Sequence, residues 1–104
     1  MNSSEQARFE VGDAGCAALS GSLSFATVAD LLPRGVESIN AKRVASIDLA
    51  AVSGADSAGL ALLVEWLSVA KAAGQALRYG NIPSQLLQLA KLSDVDLLLS
   101  GQAA

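Results

Sequence analysis

A change of hydrophobic period within residues 43–71 constrains this chain more than any other feature. Val44, Ala45, Ile47 and Leu49 make an apolar run broken only by Ser46 and Asp48, too short for an ordinary helix. A buried strand, typically about 4–8 residues long, fits it. Small and turn-forming residues follow over Ala50–Asp56 and predict a loop. Leu60, Leu63, Val64 and Leu67 then fall at i, i+3, i+4 and i+7, the period of a helix. Asp56-Ser57-Ala58-Gly59 therefore stands where a strand's C-terminal end passes into a helix N-terminus. Backbone N–H groups are unpaired there and the helix dipole is positive, so a functional site is expected first at this junction.

The rest of the chain is read outward from that unit. The helix after the junction is expected from Ser57 to Ala73, with Gly74 ending it as C′ residue. Upstream, Phe9 and Val11 alternate with Glu10, Gly12–Gly15 reads as a turn, and Cys16–Ser20 as a second strand ended by Gly21-Ser22. This predicts a β-hairpin. Cys16 has no basic neighbour in sequence and is expected as a small buried hydrophobe rather than a reactive thiol. Ser24 or Thr27 can cap a first helix reaching about Asn40, with Val28, Leu31, Leu32, Val36 and Ile39 as its inward stripe. Pro33 lies inside that stripe. An interior proline costs about 3 kcal/mol, which predicts a kink or a late start. Downstream, Gln75–Tyr79 reads as a strand and Asn81-Ile82-Pro83 as a turn. A third helix follows, burying Leu86, Leu87, Leu89 and Ala90. Leu92–Leu99 fits either a short helix or an edge strand. Residues 1–7 are polar and expected to be disordered. The order β-β-α-β-α-β-α predicts one small α/β sandwich over 1–104, its crossovers parallel and right-handed.

Composition narrows the function. Of 104 residues 52% are hydrophobic, enough for one core, and only 4% are aromatic, so Leu, Val and Ala must fill it. A net charge of -3 and a pI near 4.6 argue against nucleic-acid binding, which needs a basic face. No signal peptide or transmembrane run is visible, and the single cysteine cannot form an internal disulfide, so a cytoplasmic protein is expected. With no histidine and no cysteine pair, a zinc site or a histidine triad has no ligands or base. Neither phosphate-cradling glycine motif occurs. No enzyme and no cofactor are expected, since no group here would position and activate an attacking water.

On a wheel of the second helix, Leu60, Leu63, Val64, Leu67 and Ala70 form one apolar arc, extended by Leu62, Trp66 and Val69. The opposite sector holds Ser57, Ala61, Glu65, Ser68 and Ala72. Its small side chains would let a partner approach closely, although an ordinary solvated back has the same composition. Ser57 has two accounts. Either it or Asp56 is the N-cap, contributing about 1 kcal/mol, or its hydroxyl sits where a phosphate is electrostatically favoured. Asp48 and Asp56 could suggest a magnesium pair, but a solvated strand-end carboxylate and a cap explain them better. A phospho-receiver is disfavoured, because residues 9–15 offer only Glu10 and Asp13 where its acidic pair would stand.

Asp48-Leu49, a short spacer and Asp56-Ser57-Ala58-Gly59-Leu60 resemble the signature of STAS domains, and Gly21-Ser22-Leu23 resembles the family's turn before its first helix. Two branches come into view. The apolar run Gly59–Leu63, the Ala70-Lys71 helix end and the Leu86–Leu92 segment resemble the MlaB-type branch. That resemblance implies a non-catalytic subunit on the ATPase of a phospholipid-transport ABC complex that maintains outer-membrane lipid asymmetry. Such a protein is peripheral to the inner membrane only through its partner. Asp56, Ser57, Ala58, Ala61, Glu65 and Ser68 would then bind the ATPase. The alternative is an anti-sigma-factor antagonist, which implies phosphorylation of Ser57 by an anti-sigma kinase.

Overall fold

The computed structural model describes residues 7–99. β1 (Ala7–Val11) and β2 (Cys16–Leu23) form the expected antiparallel hairpin. α1 (Phe25–Asn40) carries the chain to β3 (Ser46–Ala55), parallel to β2. α2 (Ser57–Ala72) leads to β4 (Arg78–Gly80), parallel to β3, and α3 (Ser84–Leu92) and α4 (Asp96–Leu99) follow. The sheet order is β1-β2-β3-β4. The mixed α/β class and both parallel crossovers agree with the sequence reading, and the ambiguous tail is a short helix. Ala7 opens β1 instead of fraying; the expected disorder of residues 1–6 lies outside the described residues.

Strand periodicity decides which side chains go inside. Ala17, Leu19, Ile47 and Leu49 are buried, while Cys16, Ala18, Asp48 and Ala50 between them are exposed. One sheet face therefore carries the helices and the other is open. This corrects the reading of Cys16, whose place in β2 puts it on the open face. There the Ser46 hydroxyl donates to its sulfur at 3.4 Å. Period two outweighs the residue's own preference for burial.

The predicted loop Ala50–Asp56 is also corrected, since β3 continues to Ala55. So does β2, which runs through Gly21-Ser22 to Leu23. Each extension satisfies the other: Gly21 pairs with Val52, Ser22 with Gly54 and Leu23 with Ala55. Gly21 at φ 87 and two register shifts bend the ladder without breaking it. β4 is shorter than the expected Gln75–Tyr79 because α2 draws Gln75 back. The Gln75 N–H donates to the Ala70 carbonyl at 2.8 Å and that of Gly74 to Lys71 at 3.1 Å, a Schellman turn. The Gln75 amide then donates to the Val44 carbonyl at 3.1 Å.

α1 neither starts late nor breaks at Pro33. Ser24 caps it and Thr27 closes a capping box, the Ser24 N–H donating to Thr27 Oγ1 at 3.0 Å. Pro33 leaves the Ala29 carbonyl without its helical donor, and both residues are exposed, so the unpaired carbonyl lies on the solvent side of the helix. The core centres on Trp66 of α2, fully buried, 5.4 Å from the Phe9 ring at 51°. Its indole N–H donates to the Leu32 carbonyl of α1 at 3.2 Å. Gly35 faces the indole, and a methyl group there would collide with it. Tyr79 ties β4 to α2, its hydroxyl donating to the Leu63 carbonyl at 2.7 Å.

Candidate functional site

β3 enters α2 with only Asp56 between them. The Asp56 N–H donates to the Leu23 carbonyl at 3.0 Å, tying the junction to the end of β2. Its Oδ1 accepts from the N–H groups of Ala58 at 2.9 Å and Gly59 at 3.2 Å. Its Oδ2 accepts from the Phe25 N–H at 3.4 Å. One carboxylate thus faces the first turns of two helices, where orphan donors and positive dipole ends meet. Gly59 permits the close approach: a Cβ there would lie 2.7 Å from both Cβ and O of Leu23. Asp56 is therefore the cap, and of the two accounts of this junction the capping role belongs to it. Ser57 takes the first helical position with its side chain exposed.

Beside the junction, α1 and α2 enclose an open groove of about 400 Å³. It is lined by Phe25, Val28, Ala29, Leu32, Ala58, Ala61, Leu62 and Glu65. Phe25 is 84% exposed, a large apolar side chain left in water at the groove's edge. Among the residues singled out from sequence, Ala58, Ala61 and Glu65 line this groove, and Asp56 and Ser57 adjoin it through Phe25 and Ala58. Ser68 is exposed but does not line it. Sequence reasoning missed the α1 wall. Phe25, Val28 and Leu32 stand at i, i+3 and i+7, a second apolar stripe offset from Leu31 and Ile39, and that spacing was the available signal. Val28 and Leu32 pack against the core as expected, and being half-buried they also form groove wall.

Asp48 serves elsewhere. Its Oδ1 accepts from the Asn81 amide at 2.9 Å and from the Ala50 N–H at 3.0 Å, and these bonds hold its carboxyl below the usual range, the Asn81 bond foremost. Seven strand residues lie between it and Asp56, an eight-residue rise of roughly 26 Å at ~3.3 Å per residue, so the two cannot share an ion. Among the described residues no group of three or more acidic, histidine or cysteine side chains is placed to hold a metal. The groove offers apolar contact and one carboxylate at Glu65, with the exposed Ser57 beside it.

Residues 10–100 match the family model described as Mlab, STAS domain. A comparison with curated proteins finds no match. Among solved structures, the Bacillus cell fate determinant SpoIIAA in its phosphorylated form is similar, with a TM-score of 0.66 at 16% identity. That likeness covers 85% of this chain and 83% of SpoIIAA. The anti-sigma factor antagonist SpoIIAA in its unphosphorylated form gives a TM-score of 0.63 at 17% identity, covering 86% of this chain and 83% of that one. At such identities the likeness speaks for the fold alone. The family match spans nearly the whole chain and includes the strand–Asp56–helix junction on which the sheet and both large helices converge, so this chain belongs to the MlaB-type STAS domain family.

Proposed function

We propose that this protein is a non-catalytic accessory subunit that docks on the ATPase subunit of an Mla-type phospholipid-transport ABC complex. Docking uses the groove between α1 and α2, with Phe25 and Ala61 as contacts and Asp56, Ser57, Ala58, Glu65 and Ser68 around them. The observation that carries the reading is the MlaB-type family match coupled to an open apolar groove rimmed by small side chains. Apolar pockets ringed by small residues admit a partner's side chains without rearrangement, and a few buried anchors supply most of the affinity. The subunit's role is to stabilise the ATPase dimer and support its turnover. In this reading contact with the inner membrane runs through the ATPase; no helix among the described residues is long and apolar enough to cross a membrane. Affinity capture from native extract should recover an ABC ATPase, and deletion should impair phospholipid transport. Capture that recovers no such ATPase, with normal transport in the deletion strain, contradicts the proposal.

A second reading has its own observation. Ser57 is exposed at the first position of α2, and one structural neighbour is an anti-sigma factor antagonist, seen also in a phosphorylated form. A phosphate on Ser57 would meet the N-terminal dipole and the nearby Asp56 carboxylate, and would switch binding to an anti-sigma kinase. Mass spectrometry of the protein isolated from its own cells separates the two readings. Stoichiometric phosphate on Ser57, together with a captured kinase, favours the second.

A further inference from the structure

Among the described residues the outer edge of β1 has no strand beside it. Among those residues β1 is the terminal strand of the sheet and is hydrogen-bonded to β2 alone. The Gly12 N–H donates to Cys16 at 2.7 Å, and Gly12 and Cys16 continue the ladder in which Val11 pairs with Ala17. Main-chain groups alternate along an antiparallel ladder, so those of Glu10 and Arg8 also face β2 and those of Ala7, Phe9 and Val11 face outward. Natural edges are commonly blunted by charged side chains, lysine above all, or by proline; Ala7-Arg8-Phe9-Glu10-Val11 has no lysine or proline, and its two charges are of opposite sign. A groove of about 320 Å³ runs beside this edge, walled by Asp30, Leu31 and Arg34 of α1.

We infer that this edge pairs with β1 of a second copy, antiparallel about a two-fold axis at Phe9. Charge selects that register. With Phe9 opposite Phe9, Arg8 of each copy lies opposite Glu10 of the other, both exposed on the open sheet face. Shifting the register to set Ala7 against Phe9 puts Arg8 opposite Arg8. The shift the other way puts Glu10 opposite Glu10. Both alternatives keep the hydrogen bonds and place like charges face to face. Among the described residues none of Arg8, Glu10, Asp30 and Arg34 is held in an ion pair, so all four are free to engage the partner. The α1 wall adds one acid and one base, so it presents no like-charge barrier. A single copy of the patch is self-complementary, as an isologous interface requires. A five-residue strand buries little area, so the dimer is weak and reversible. It lies on the flank of α1 away from α2, and it does not depend on the ATPase reading.

Sedimentation equilibrium of the full chain at low salt tests this. The wild type should shift with concentration from 10.5 kDa towards twice that mass. Arg8→Glu and Glu10→Arg should each weaken association about tenfold or more, since both cross-strand pairs become repulsive. Mixed in equal amounts, the two variants should associate again, because each then supplies the charges the other lacks. Circular dichroism confirms that both remain folded, as expected for exposed positions. A wild type that stays monomeric at every concentration, single variants that associate as well as wild type, or a mixture that stays monomeric would each overturn the inference.

Discussion

Asp56 and Ser57 are neighbours with opposite duties, and their substitutions should separate them. Asp56→Ala removes the acceptor for Ala58, Gly59 and Phe25 together. A lost cap typically costs about 0.5–2 kcal/mol, and the bond to α1 places this one towards the upper end. Ser57→Ala removes no cap and should change stability by less than about 0.5 kcal/mol. Chemical denaturation of both variants checks this; equal losses would show that the cap is shared. Asp48 gives a pH-dependent counterpart. Its carboxyl is held low by Asn81 and Ala50, so it stabilises the fold above the ordinary carboxylate range, and that contribution fades as pH falls through the depressed pKa. Asn81→Gly removes the amide while keeping a residue at ease at φ 54. NMR titration should then show the Asp48 pKa moving up towards its ordinary value, and no movement would mean the Ala50 N–H alone sets it. The sequence carried the D-S-A-G junction plainly. It could not say which of two adjacent residues takes the cap, because that depends on where Leu23 and Phe25 arrive from another part of the chain.

Helices and the hairpin were legible because their periods are local properties. Strand length was not. Ala50–Ala55 is strand only because Gly21–Leu23 lies alongside, and pairing between segments some 30 residues apart leaves no mark in either one. The brevity of β4 has the same origin, as the end of α2 takes Gln75 for its own termination. The crossing of α1 and α2 was equally hidden. Gly35 sits mid-helix, where glycine costs about 1 kcal/mol relative to alanine, and its reason is the Trp66 indole packed against it. Gly35→Ala should therefore destabilise the fold by about 1–3 kcal/mol despite its better helix propensity. Thermal melts would show the loss shrinking when the same change is made in a Trp66→Leu background. If Gly35→Ala stabilises the protein, the helices are not in close contact there.

At the scale of the whole molecule, one layer of helices covers one sheet face, and among the described residues the open sheet, the β1 edge and the α1–α2 groove are left for partners. The small-residue sector of α2 was readable from its helical wheel. The groove was not, because half of it comes from α1 and forms only when the two helices cross at Gly35 and Trp66. In the proposed function the ATPase subunit docks on this groove, which Ser57 adjoins. The direct measurement is the affinity of purified variants for that subunit, with melting curves as the control for folding. Phe25→Ala should melt within about 0.5 kcal/mol of wild type, being exposed, yet lose about 2 kcal/mol or more of binding as an anchor residue. Ala61→Arg and Ser57→Arg should also stay folded, since the unfavourable dipole term at Ser57 is only about 0.3–1 kcal/mol, and both should abolish binding by filling the interface. Folded variants that bind the ATPase as tightly as wild type would contradict the account and leave the Ser57 face as plain solvated surface.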